Sequence, residues 1–211
     1  MAITKETVSA AVAAALEDKG KRKFVQSADL AVNLADVDFK KPENRINIEI
    51  ILPHAANQLK VVVFADAQLA MEAKKHADLV ITSQEIAGYA ADKKKMEPLA
   101  GCAVLASPQM MAQVGKSFGQ FLSSRARLPK PILPNSNVKD LVDNTRKSVV
   151  LKSKGKLLPT LHCIVGKESM PAEEIAENVM AVLEALKKKI AEHQIKDVCV
   201  KLTMGKSVRV K

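Results

Sequence analysis

Apolar residues recur along this chain with two different patterns, and the change from one to the other divides it. Near the start, Val8, Val12 and Leu16 return every fourth residue in an Ala-rich segment, which predicts a helix over residues 3–16. Thr4 is placed to cap it and Ile3 to staple onto Val8. Leu30, Val32 and Leu34 then alternate with polar or small residues, as do Ile46, Ile48, Ile50 and Leu52 before Pro53, predicting two half-buried strands. The same alternation returns at Leu161, Cys163 and Val165, and after the helical stretch 171–190 at Val198, Val200 and Leu202. Val208 and Val210 continue it past Thr203-Met204-Gly205, where Gly205 supplies the positive φ that a tight turn often needs.

Between these ends the pattern is different. Residues 61–65 (VVVFA), 79–81 (LVI) and 102–105 (CAVL) are short and continuously apolar. Each precedes a helical stretch, at 67–75, 83–91 and 108–118, with Ser83 and Ser107 as caps and Pro108 at a first helical position. Strands apolar on both faces and alternating with helices imply a parallel sheet covered on both sides. Residues 123–137 are Pro-rich and basic and read as a loop; a short helix at 138–145 and a connecting strand at 148–151 follow. The fold class is therefore mixed α/β and α+β in two domains. A discontinuous antiparallel α+β domain comes from both chain ends, residues 1–56 and 157–211. A parallel three-layer α/β (Rossmann-like) domain, residues 57–156, is inserted in it, and two covalent links allow a hinge.

Charge adds a partner class. The chain carries 33 Lys+Arg against 23 Asp+Glu, net +10, which favours a polyanion: nucleic acid first, an anionic membrane second. Aromatics are only 3% of residues, so a stacking platform of many rings is not expected. Phe24, after Lys21-Arg22-Lys23, is either a core anchor or part of a basic binding surface. Lys187-Lys188-Lys189 suits a helix C-terminus. Cys102, Cys163 and Cys199 stand apart in apolar runs, as buried thiols of a reducing compartment do. No apolar run reaches the ~20 residues of a membrane span. A cytoplasmic protein without membrane association is expected.

Several catalytic and ligand motifs fail. Gly115-Lys116-Ser117 looks like the end of a phosphate loop, but Met110 stands where the pattern needs Gly. Asp66-Ala67-Gln68 follows the first apolar run instead of a GxGxxG turn. His54, His76, His162 and His193 have no metal spacing. No metal site, cofactor or catalytic residue is expected, the alternative being a small α/β enzyme holding a phosphorylated ligand in the inserted domain.

A family resemblance runs nearly end to end and in order. It is carried by Arg22-Lys23-Phe24, by residues 26–34 (QSADLAVNL), by Leu52-Pro53-His54 and by Ser107-Pro108. Leu161-His162, residues 166–169 (GKES), residues 175–178 (IAEN) and Thr203-Met204-Gly205 complete it. These resemble the ribosomal protein L1 family, the large-subunit protein of the mobile stalk beside the tRNA exit site, in its archaeal form. The resemblance implies a monomer when free that joins the large ribosomal subunit and binds the stalk region of its rRNA. It also implies help in exit-site tRNA movement and release, and translational repression through the protein's own mRNA. By motif, the RNA-binding surface would hold Phe24, Ser27, Thr203, Met204, Gly205 and Ser207, with Gln26, His162 and Lys167 at its edge. Hydroxyls there suit 2′-hydroxyls and phosphates, and Met204, Phe24 and Gly205 suit close packing on riboses.

Three features depart from this picture. Residues 57–156 hold 16 Lys+Arg against 8 Asp+Glu, so charge alone points to the inserted domain. Arg125, Arg127 and Lys130 would there give secondary electrostatic contact to tRNA or neighbouring RNA. Residues 122–127 (LSSRAR) replace a Gly-Pro-Arg-Gly-type stretch, and Lys206 stands where Pro commonly follows Thr-Met-Gly.

Overall fold

The computed structural model describes residues 4–35, 37, 39, 44, 46–57, 59–92, 96–124, 128–133, 137–153 and 158–210. The chain divides into two compact units, Met1–Asn57 with Lys147–Lys211, and Gln58–Arg146.

In the terminal unit, α1 (Lys5–Leu16) starts at Thr4, whose side chain accepts the Thr7 N–H in a capping box. The expected staple from Ile3 lies outside the described residues. β1 (Ser27–Leu34) buries Ala28, Leu30, Val32 and Leu34 on one face, as its alternation requires. It pairs antiparallel with β8 (Thr160–Lys167) on one side and β9 (Ile195–Leu202) on the other. The short β10 (Val208–Arg209) extends the sheet beyond β9. The second expected N-terminal strand, β2 (Asn47–Ile51), does not join this sheet. It forms a separate antiparallel pair with β7 (Ser148–Lys152), although both pack on the same core. β7 thus belongs to the terminal unit, ten residues earlier than the expected boundary, because its ladder partner is there.

The helix from Pro171, α6 (Ala172–Lys187), buries Ile175, Val179, Val182, Leu183 and Leu186 against the same sheet face as Val8 and Val12 of α1. One face of the four-stranded sheet is therefore covered by this core. Asp29, Ala31 and Asn33 of β1 lie on the other.

The inserted unit has a parallel sheet in the order β4-β3-β5-β6: β3 (Val61–Phe64), β4 (Leu79–Ile81), β5 (Ala103–Ala106) and β6 (Lys130–Pro131). Alternate residues of β3 enter different cores. Val62 and Phe64 pack with α3 (Ser83–Ala91) and α4 (Met111–Ser124), while Val61 and Val63 pack with α2 (Ala67–Ala73) and α5 (Val138–Lys147). This is the three-layer arrangement that continuous apolar strands predict.

Local corrections have local causes. The cap of α3 is Thr82, boxed with Glu85, rather than Ser83. α4 starts at Met111 rather than Pro108 because the Ser107 carbonyl accepts both the Met110 and Met111 N–H groups, at 3.0 and 3.1 Å, closing a turn first. β6 lies inside the stretch expected to be a loop; Pro131 is tolerated because the strand is at the sheet edge.

Candidate nucleic-acid interface

Three strands bring distant segments to one end of the antiparallel sheet. Ser27 begins β1, Lys167 ends β8 opposite it, and Leu202 ends β9 opposite Ala28. Thr203 carries the ladder one step further. Its N–H donates to the Ser27 carbonyl at 3.0 Å, and its Oγ1 accepts the Ser27 N–H at 3.1 Å. The Thr203 hydroxyl thus fixes backbone at the edge of the surface.

Gln26 is the bracket of the site. It is 1% exposed, and its Oε1 accepts the Met204 N–H at 3.0 Å. Its Nε2 donates to Glu168 Oε2 at 3.2 Å and to the Asp18 carbonyl at 3.5 Å. Glu168 is itself buried, and its N–H donates to the Gln26 carbonyl at 2.9 Å. A buried amide joins the turn after α1, the loop after β8 and the C-terminal tip, so Gln26 shapes the surface from beneath.

The tip itself is exposed. Met204 is 58% and Phe24 50% exposed, which places Phe24 on the surface and not in the core. Gly205 has no positive φ; among the described glycines only Gly20, in the turn after α1, does, at 74°. The constraint at Gly205 is space: a Cβ there would lie 3.0 Å from Leu202 Cβ. Ser207 is exposed two residues on. A cleft of about 310 Å³ is lined by Lys21 and Arg22 on one segment and residues 204–206 on another, with Asp18 and Gln26 between them in the lining.

The remaining candidates belong to other parts of the chain. His162 is exposed opposite Ala31, four residues along β1 from Ser27, roughly 13 Å away at strand rise. Burial raises the Asp29 carboxyl on that face, despite nearby Lys201 and His162. Lys130 is half-buried on β6 of the inserted unit, and Arg125 and Arg127 lie outside the described residues. Two residues were not singled out by sequence. Asp18 accepts the Lys206 N–H at 3.4 Å across 188 positions, a separation no local pattern reveals. Glu168 lies in the GKES segment, where only its burial distinguishes it.

Other motif residues are structural. Asn178, fully buried, accepts the His54 N–H at 3.0 Å and donates to the His54 and Val165 carbonyls at 3.0 and 2.8 Å. In the inserted unit, Asp66 follows β3 and its carboxylate accepts the Ser83 N–H at 2.9 Å. A negative charge thus occupies the strand end where a phosphorylated ligand would be expected. No group of three His, Cys, Asp or Glu side chains among the described residues could hold a metal ion.

The model of the ribosomal protein L1p/L10e family matches residues 13–206. The chain belongs to this family. Among its relatives, the large ribosomal subunit protein uL1 of Archaeoglobus fulgidus is 38% identical over the whole of both chains. That of Methanococcoides burtonii is also 38% identical, over 99% of this chain and all of its own. That of Methanocella arvoryzae is 39% identical over 98% of each. The chain is thus an L1-family protein of archaeal type, in a family of ribosomal proteins and not enzymes. No helix among the described residues is long and apolar enough to cross a membrane.

The unit boundary also changes how the chain's charge divides between its units. Residues 58–146 hold 12 Lys+Arg against 8 Asp+Glu, net +4, leaving +6 for the terminal unit. Lys147, Lys152, Lys154 and Lys156 account for the difference from the earlier division, so charge no longer favours the inserted unit.

Proposed function

We propose that the protein is a component of the large ribosomal subunit and binds the stalk region of large-subunit rRNA with the Thr203–Ser207 tip, Ser27 and Phe24. Lys167 lies at the rim of this surface. The observation that carries this reading is the exposed Met204 on a backbone tip pinned at Gln26 and Ser27, in a cleft shared with Lys21 and Arg22. A fixed apolar tip with few free hydroxyls suits riboses and backbone of a folded RNA more than base edges. The cations supply affinity that is not specific to sequence.

The same surface recognises a similar fold in the protein's own mRNA and thereby represses translation. In the ribosome the protein assists exit-site tRNA movement and release, with Arg125, Arg127 and Lys130 giving electrostatic contact to RNA. Reversing those three charges weakens tRNA or neighbouring-RNA contact; no weakening would remove them from the account.

The decisive test is binding to a stalk rRNA fragment against a scrambled RNA of equal length, at low and high salt. Affinity for the scrambled RNA should collapse with salt while preference for the stalk fragment persists. Met204→Asp places a carboxylate against phosphates and should cost about 100-fold in stalk affinity. Equal, salt-sensitive binding to both RNAs would overturn the reading.

A further inference from the structure

A carboxylate is out of place on a basic surface that binds a polyanion, yet Asp18 lines the cleft beside Lys21, Arg22 and Lys206. Its contacts explain it. Oδ2 accepts the Lys206 N–H at 3.4 Å, and Oδ1 accepts from the Lys21 ammonium. Its backbone carbonyl accepts from Gln26 Nε2 at 3.5 Å, and the same Gln26 holds the Met204 N–H. The space that a Cβ on Gly205 would take lies 3.6 Å from Asp18 Oδ2. Met204 is therefore held on both sides, directly by Gln26 before it and by Asp18 through the backbone two residues after it.

We propose that Asp18 is a positioning residue of the interface, a latch that closes the tip through the Lys206 N–H and presents Met204 in its RNA-binding pose. The proposal rests on the reading that the tip binds RNA. Its chemistry depends on position 206 having an N–H to give. A proline there would stiffen the turn by its ring and leave the carboxylate nothing to accept. With Lys206, the chain instead fixes the turn from outside by a charge-assisted hydrogen bond. The Lys21 ammonium, and then the Lys206 N–H, hold the Asp18 carboxyl below the usual carboxylate range, so the acceptor stays ionised at neutral pH.

The latch and simple electrostatics predict opposite signs. Removing a negative charge from an RNA-binding surface should tighten binding to any RNA. If Asp18 is a latch, Asp18→Ala should weaken stalk-fragment binding about tenfold while binding scrambled RNA at least as tightly as the parent. Asp18→Asn keeps a neutral acceptor for the Lys206 N–H and should stay within about threefold of the parent. Hydrogen exchange at the Lys206 amide of the RNA-free protein gives a second readout: protected in the parent and in Asp18→Asn, faster in Asp18→Ala. Stalk binding by Asp18→Ala that equals or exceeds the parent's would overturn the proposal. So would loss in Asp18→Asn as large as in Asp18→Ala, which would assign the effect to the Lys21 ion pair. A parent that does not prefer the stalk fragment would instead overturn the RNA reading, and the positioning role with it.

Discussion

The two units use polar side chains in opposite ways. In the inserted unit they close the scaffold: the buried Val61 N–H donates to Asp78 at 2.8 Å, and Arg146 ties Asp78 and the His76 carbonyl into the same corner. Both sheet faces are covered, and Asp66 is turned to the adjacent helix start. In the terminal unit, Gln26, Glu168, Thr203 and Asp18 spend their hydrogen bonds on shaping an exposed tip. A sheet covered on both faces leaves polar side chains mainly scaffolding work. A sheet covered on one face leaves its strand ends free to carry a surface.

The sharpest way to separate the units is to damage one core. Phe118 is fully buried against Phe64, with ring centroids 5.5 Å apart. Phe118→Ala should lower unfolding free energy by about 3–5 kcal/mol in denaturant titration. Stalk RNA affinity of the protein that remains folded should stay within about twofold, given that Phe118 and the tip belong to units with separate cores. A parallel loss of RNA binding would break the comparison.

A smaller effect tests the terminal scaffold. Asn178→Ala orphans the His54 N–H and the His54 and Val165 carbonyls, at a cost of about 1–3 kcal/mol. Thermal unfolding should show that loss.

Asp78→Ala should cost about 1–2 kcal/mol at neutral pH by leaving the Val61 N–H without its acceptor. The Val61 N–H first, and Arg146 after it, hold this carboxyl below its ordinary 3.8. Its folded value is therefore depressed, so the charged-state contribution is present above about 3.8 and lost as pH falls through the folded value. The stability gap between parent and variant should narrow below that pH; a gap that widens on acidification would contradict the assignment.

The smallest perturbation is chemical. Burial, then the nearby Asp29 charge, pushes the Cys163 thiol up to about 12. Native protein at pH 8 should leave Cys163 unalkylated until it is unfolded, as peptide mapping would report.

Most of the scaffold is legible in hydrophobic periodicity because burial imposes it. Leu30, Val32 and Leu34 give β1, and the unbroken VVVF of β3 gives a strand with two covered faces. What escapes depends on pairing over distance. β7 reads as a connecting strand within the inserted domain until its ladder with β2 assigns it to the terminal unit. Pro131 hides an edge strand in what reads as a loop, and the Ser107 carbonyl delays α4 by a turn that no residue type announces. At the candidate site, Thr203-Met204-Gly205 and Ser27 are legible as a motif. Gln26 reads as an edge contact but lies beneath the surface. Gly205 reads as a conformational need but answers a steric one.

The most direct test of the central claim is hydrogen exchange across the whole protein, with and without the stalk rRNA fragment. The account predicts new protection in segments 21–28, 167–170 and 203–208, with β3, β4, β5 and β6 unchanged. Protection concentrated on the inserted unit, with the Thr203–Ser207 tip unaffected, would contradict it.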